Sequence, residues 1–241
     1  MTKDLAYLIG VFLGDGSVQS DGRTFCLQTI DKDFAEACKS SLEKLTINAV
    51  RVVEVPRLTS ANRRVYAVYC SDVRLCELLR ERTGRRLHIP DDWLDWSDGD
   101  RKELVAGLLD SEGYVSVTRL HEYAGRKVYD MHIGIGACDP WLTELHAYCV
   151  NSGIAVGVVT QEILKSGKKF LKFCFNKKSF IKNGLYFKIS RKQARIEEYK
   201  VSFPGSTTTR RIPKTEETKD KISKFAKTRQ RVGGRFVKGM V

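Results

Sequence analysis

Three things are scarce in this sequence of 241 residues: long apolar runs, metal-ligand pairs and negative charge. No apolar run approaches the roughly 20 uninterrupted residues of a membrane-spanning helix. The amino-terminal apolar stretch does not suit a secretory signal either, because Gly10 and Gly14 interrupt it and Asp15 follows at once. Membrane and secreted readings are set aside, and an intracellular place is expected, in a bacterial or phage cytoplasm or in an organelle. The four histidines, His88, His121, His132 and His146, have no ligand-like spacing. The seven cysteines, Cys26, Cys38, Cys70, Cys76, Cys138, Cys149 and Cys174, are odd in number and include no C-x-x-C pair. Buried free thiols in a reducing compartment fit that pattern better than disulfides or a zinc site.

Acidic side chains number 29 against 42 Lys and Arg, a formal net charge of +13. The imbalance is not uniform. Residues 1–100 carry 14 basic and 16 acidic side chains, residues 101–204 carry 17 and 10, and residues 205–241 carry 11 and 3. A basic second half and tail point to a polyanionic partner, nucleic acid first. With 42% apolar residues the chain can bury a core, and its length suits one large domain or two of about 100 residues.

The sequence repeats itself. Residues 5–16 read LAYLIGVFLGDG and residues 104–113 read LVAGLLDSEG, each an apolar helix-like run that ends in an acid and glycine. The acids, Asp15 and Glu112, are 97 residues apart. A hairpin signal follows each: Ser17–Val18, a turn at Asp21–Gly22 and Thr24–Ile30 in the first copy, then Tyr114–Val117, a longer turn near Ala124–Gly125 and Val128–Ile135 in the second. Next comes a helix, DKDFAEACKSSLEKL with cap-favouring acids or DPWLTELHAYCVNSG with Asp139 as cap and Pro140 in its first turn. Two strands (Arg51–Val55 with Val65–Cys70; Ile154–Leu164 with Phe170–Phe175) and a closing helix (Val73–Arg82; Phe180–Lys200) complete each copy. The order αββαββα thus occurs twice, an α+β duplication with two antiparallel sheets. The expected organisation is an amino-terminal half 1–84, a Trp-bearing acidic linker 85–100, a carboxy-terminal half 101–204 and a basic tail 205–241.

A helix carboxy end carries partial negative charge, so an acid there is unfavourable by a few tenths to about 1 kcal/mol. Both copies place one there, just before a glycine that is expected to form a left-handed cap. Gly10 and Gly14 share one helix stripe, as do Gly107 and Ser111, so the two helices are expected to pack closely and bring Asp15 and Glu112 side by side. A hard divalent cation between the carboxylates would relieve their repulsion.

These paired segments, Leu8-Ile9-Gly10-Val11-Phe12-Leu13-Gly14-Asp15-Gly16 and Val105-Ala106-Gly107-Leu108-Leu109-Asp110-Ser111-Glu112-Gly113, resemble the signature of LAGLIDADG homing endonucleases in their single-chain, two-motif form. The likeness extends over residues 5 to about 200. It implies pseudo-twofold symmetry, two sheets forming a DNA-binding saddle, and a monomer that acts as a site-specific double-strand DNA endonuclease and leaves short 3′ overhangs. It makes Asp15 and Glu112 ligands of Mg²⁺, helped by backbone carbonyls near Gly14 and Ser111, with Mn²⁺ or Ca²⁺ able to replace Mg²⁺ in binding. Asp110, matched by Leu13 in the first copy, is expected to pack or hydrogen-bond rather than ligate.

The family places polar and basic residues around the metals to order water. Gln28 resembles its strand glutamine, whereas Ile133-Gly134-Ile135-Gly136 offers no such side chain in the second half, so the half-sites are expected to differ in rate. Lys188 and Lys192 are the lysine candidates near the last helix, with Arg86 the nearest basic counterpart in the first half. DNA contacts are expected from Gln19, Arg23, Gln28, Arg51, Arg57, Arg63, Arg64, Arg119, Arg126, Lys127, Gln161, Lys168, Lys169 and Lys172, for which a solvated sheet face is the plain alternative. The tail segment 215–225 resembles the small modular DNA-binding repeats of some homing nucleases, and a flexible phosphate-binding tail is an equal account of it. Two other functions on the same fold stay open, an intron RNA maturase and a DNA-binding regulator.

Overall fold

The computed structural model describes residues 1–55, 64–123, 126–202, 229–232 and 235–238. Two compact units divide the chain, Met1–Ser202 and Phe203–Val241. In the first unit the elements run α1 (Lys3–Leu13), β1 (Ser17–Val18), β2 (Thr24–Thr29), α2 (Lys32–Leu45), β3 (Val50–Val55), β4 (Val65–Ser71) and α3 (Val73–Arg82). A 3₁₀ turn at Asp91–Asp95 follows, then α4 (Asp98–Glu112), β5 (Gly113–Tyr123), β6 (Arg126–Ala137), α5 (Trp141–Asn151), β7 (Thr160–Ile163), β8 (Lys169–Phe175), α6 (Lys177–Lys182) and α7 (Ser190–Ser202). Among its described residues the second unit holds one antiparallel pair, β9 (Arg229–Val232) with β10 (Arg235–Lys238).

The duplication is explicit in the sheets. Their orders, β1-β2-β4-β3 and β5-β6-β8-β7, are the same, and every pairing is antiparallel. The closing helix of the second half differs from the expected Phe180–Lys200: Gly184, at φ 66°, ends α6 soon after its Asn183 cap, and α7 starts afresh at Ser190. The expected strand Ile154–Leu164 is pared to β7, with Val156 making one isolated bridge to Phe175. The linker is packed rather than loose, since Trp93 and Trp96 are buried. No described helix is long and apolar enough to cross a membrane.

The centre is the α1–α4 pair. Ala6–Leu13 of α1 and Leu104–Asp110 of α4 are buried in unbroken runs, as expected of helices covered on all sides. Glycines set their separation. A Cβ on Gly10 would fall 2.2 Å from the Leu104 carbonyl oxygen, and one on Gly107 would fall 2.3 Å from that of Tyr7. A Cβ on Gly14 would fall 2.3 Å from the Ser111 Cβ. The backbones themselves therefore make the interface between halves.

Candidate active site at the ends of the two central helices

Close packing of α1 and α4 brings their carboxy ends together. Asp15 lies just beyond the Gly14 cap of α1, and Glu112 is the last residue of α4. The glycines that follow do not form the left-handed caps expected of them. Gly113 is extended at φ −82°, ψ 154°, and Gly16 is not among the positive-φ residues. Both are needed for space: a Cβ on Gly113 would lie 2.4 Å from the Leu109 oxygen, and one on Gly16 2.8 Å from the Phe12 Cα.

The charge of Asp15 disturbs Glu112. Glu112 is pushed up to about 7, first by burial and then by the negative charge of Asp15, against the pull of Arg86 and Lys192. Asp15 is also raised by desolvation, although it opens onto a cleft, with Lys192 and Arg86 pulling the other way. Its cleft, about 410 Å³, is lined by Asp15, Gln28, Thr29, Ser111, Arg191 and Lys192 among others.

Each helix end is capped by one basic side chain from far along the sequence. Arg86 Nη2 donates to the Gly14 carbonyl and, at 3.4 Å, to that of Leu13. Lys192 Nζ donates to the carbonyls of Leu109 (3.1 Å) and Asp110 (2.7 Å). These cations meet the negative poles of α1 and α4, which explains how both helices tolerate a terminal acid. Burial lowers Lys192 to about 8, with Asp110 opposing the shift. Arg86 reaches its position from an unusual backbone, since it and Arg85 have φ of 79° and 60°, and its N–H donates to the buried Thr83 hydroxyl at 3.1 Å.

Asp110 holds α7 in place. Its carboxylate accepts from the Tyr7 hydroxyl (2.9 Å) and from the backbone N–H groups of Lys188 (3.0 Å) and Ile189 (3.2 Å). Burial raises it to about 6 despite these donors. It is a hydrogen-bonding residue, as its lack of a counterpart in the first motif suggests. Lys188, the other lysine candidate, turns away from the acids. Its ammonium pairs with Glu103 at 3.0 Å and lies 3.6 Å from the centre of the Tyr7 ring. Sequence reasoning missed the outer tie of α7: Arg191 forms a two-pronged pair with Asp31, one arm at 2.8 Å, and Ser190 N–H donates to Asp33. Asp31 makes no side-chain cap on α2.

The other expected residues scatter around the sheets. Gln28 is exposed in the cleft, and Arg51 stands exposed on β3. Arg64 pairs with Glu54 at 3.2 Å, Lys172 pairs with Glu162, and Gln19 and Arg23 are exposed beside the first hairpin turn. Register opposes Gln161 to the partly buried Leu171 that packs on the core, so Thr160 and Glu162, not Gln161, share the face of Lys172. Lys169 falls on the Leu171 side too, and Lys168 precedes β8. Arg119, Arg126 and Lys127 lie in β5 and β6, with side chains outside the described residues, and Arg57, Arg63 and the 215–225 segment fall outside them altogether.

A metal is tested by the donors at hand. Asp15 and Glu112 could supply carboxylate oxygens, and the charge of Asp15 already disfavours ionised Glu112, an arrangement that a hard divalent cation would relieve. Among the described residues no cluster of three or more His, Cys, Asp or Glu could hold one alone. That shortage fits Mg²⁺, which keeps waters and takes substrate phosphate oxygens to complete its shell. Ser111 uses its hydroxyl on the Gly107 carbonyl (3.0 Å), so its backbone oxygen is what it could offer. The Gly14 carbonyl already accepts from Arg86.

Two abutting helices between like-ordered sheets, with an acid at each helix end, define a duplicated α+β fold of the LAGLIDADG type. The model of the LAGLIDADG-like domain matches residues 2–81, the first of the two halves. The structure of the I-LtrWI LAGLIDADG homing endonuclease bound to target DNA is similar to 97% of this chain and 99% of its own, with TM-score 0.52 at 14% identity. Full-length WhiA from Thermatoga maritima matches 94% of this chain and 67% of its own (TM-score 0.53, 14% identity). The homing endonuclease I-WcaI bound to its DNA recognition sequence matches 80% and 86% (TM-score 0.52, 12% identity). At such identities the likeness is one of fold. In sequence, an uncharacterized protein of Methanocaldococcus jannaschii is 27% identical over 123 residues, 49% of this chain and 42% of its own length. The chain thus matches less than half of that relative.

Proposed function

We propose that this chain is a site-specific, divalent-metal-dependent double-strand DNA endonuclease that acts as a monomer. The observation that carries the reading is the juxtaposition of Asp15 and Glu112 at the ends of two backbone-packed helices, each end capped by a cation. A regulator or a maturase needs no pair of acids brought together at two packed helix ends. Keeping one costs stability, as the elevated Glu112 shows.

Asp15 and Glu112 would hold the metal, Mg²⁺ first, with a backbone oxygen near Ser111. Bound there, it would polarise the scissile phosphates, acidify water and stabilise the leaving oxygen. The chain does the rest. Lys192 and Arg86 fix the two helix ends and place positive charge beside them, where a phosphate diester must approach. Gln28 lines the same cleft as Asp15 and offers an amide donor and acceptor to a water. Arg51 and the other exposed basic residues of the sheets, with the half-buried Lys172, would follow the duplex backbone, an attraction that weakens with salt.

The test is selection of cleaved members from a randomised duplex library with Mg²⁺, against EDTA and against Glu112→Gln. One recurrent site, cut only with the metal and not by the variant, is expected. Binding to one duplex without cutting in any divalent ion would instead favour the regulator, and preference for intron RNA the maturase.

A further inference from the structure

Register lays out the outward face of the first sheet row by row. Phe25, Leu27, Val68 and Cys70 are buried in the core and Val50 and Val52 pack on it, so the alternate residues of β2, β4 and β3 face outward. Gln28, Ala67 and Val53 form one outward row, and Val65 with Val55 the next. Gln28 and Val65 line the cleft of Asp15, so these rows run from the acid out to the sheet edge at β3. A duplex whose scissile phosphate reaches Asp15 must lie along them.

The pattern of β3 breaks on this face. A solvated face is ordinarily polar, and Arg51 obeys that rule. Val53 stands where the alternation asks for a second polar residue, and it is 46% exposed. Ala67 is fully buried between it and Gln28, while Val55 and Val65 are half-buried in the next row. Together they make a short apolar strip flanked by the exposed Arg51.

The second sheet lacks the strip. Ser17 and Tyr114 each lie two residues past a motif acid and pair with Cys26 and Gly134. Gln28 therefore corresponds to Gly136, Ala67 to Lys172 and Val53 to Thr160. There Lys172 pairs with Glu162, and the Thr160 hydroxyl donates to the Lys172 carbonyl at 3.2 Å.

The major groove admits a β-ribbon, and in it A, G and C present donors and acceptors while thymine adds a C5 methyl. A valine side chain can neither donate nor accept a hydrogen bond. Set against a purine edge or a cytosine amine, it displaces water without replacing the lost hydrogen bond; set against a methyl, it buries apolar surface on both partners. Arg51, two residues back on the same face, supplies charge for the neighbouring phosphates. We infer that Val53 is a specificity-determining residue that selects thymine, through its C5 methyl, on one side of the cut. This rests on the endonuclease reading above.

The experiment measures binding of the full chain, in Ca²⁺, to the site recovered from the library, with each thymine replaced in turn by deoxyuracil. That exchange removes one methyl and leaves base pairing intact. One or two thymines, all on one side of the cut, should each cost about fourfold in affinity, the worth of one buried methyl group. In Val53→Ser the parent site should lose a similar factor, and the penalty at those thymines should shrink to within about 1.5-fold. The wild-type series can refute the inference by itself, whatever Val53→Ser does to folding. Indifference to deoxyuracil at every position, or the same penalty in both proteins, would overturn the inference and leave the endonuclease standing. So would a wild-type dimer that Val53→Ser dissolves, which would give the strip to a second copy of the chain. Absence of any preferred duplex would overturn the endonuclease reading itself.

Discussion

Gly10→Ala tests the claim that backbone contact sets the site. Alanine in a helix interior is favoured over glycine by roughly 0.8–1 kcal/mol, so an unobstructed Gly10→Ala would stabilise the chain. Here the new methyl would sit 2.2 Å from the Leu104 oxygen, 2.9 Å from the Leu108 nitrogen and 3.1 Å from the Gly107 Cα, all backbone atoms that no rotamer change can move. Ordinary C···O contact begins near 3.3 Å, so α1 and α4 must part by about 1 Å. Overpacking of this kind costs roughly 1–3 kcal/mol or more, which exceeds the propensity gain. For a unit of this size that is a fall in Tm of about 2–10 °C. Gly99→Ala is the control on α4: its methyl would meet only side-chain atoms at ordinary contact distance, Lys3 Cε at 3.4 Å and Ser97 Oγ at 3.7 Å, and Tm should hold or rise. Thermal unfolding of the three proteins decides it by sign, and a Gly10→Ala protein as stable as wild type would refute the packing argument.

Other substitutions probe the side chains around the acids. Asp110→Leu, which copies Leu13 of the first motif, strands the Tyr7 hydroxyl and the N–H groups of Lys188 and Ile189; urea unfolding should show a loss of about 2–4 kcal/mol. Lys192→Met keeps the aliphatic packing but uncaps α4, so a stability loss of about 1–3 kcal/mol and severely reduced cleavage are expected. Wild-type cleavage by that variant would remove Lys192 from the site. For Glu112 the folded-state value of about 7 exceeds the ordinary 4.5, so the folded chain binds more protons across that window and metal-free stability should fall as pH rises through it. A divalent cation replaces the proton. The gain in Tm on adding Ca²⁺ should therefore be larger near pH 8 than near pH 5, and an equal gain at both would contradict the shared-cation account.

What could be read from the chain depended on whether a feature was local or repeated. The motif helices, the order of strands and the pairing of Asp15 with Glu112 were legible because each occurs twice at one spacing, and a duplicated oddity outweighs a single one. The same duplication misled at Gly16 and Gly113: a glycine needed for space and one needed for positive φ look identical in sequence, and only the 2.4 Å approach of the Leu109 oxygen separates them. Choosing between Lys188 and Lys192 was equally out of reach. Both precede or open α7, and the choice turns on Glu103 and Tyr7 taking up Lys188 while the α4 carbonyls take up Lys192, contacts between residues far apart in sequence. The halves are alike where backbone meets backbone, at Gly10 and Gly107, and differ at the corresponding sheet positions Gln28 and Gly136. Backbone packing at the interface constrains both helices at once, so neither copy can drift alone. Side chains on the sheets are under no such mutual constraint, and there Phe170 covers Gly136 while Gln28 stays open to the cleft of Asp15.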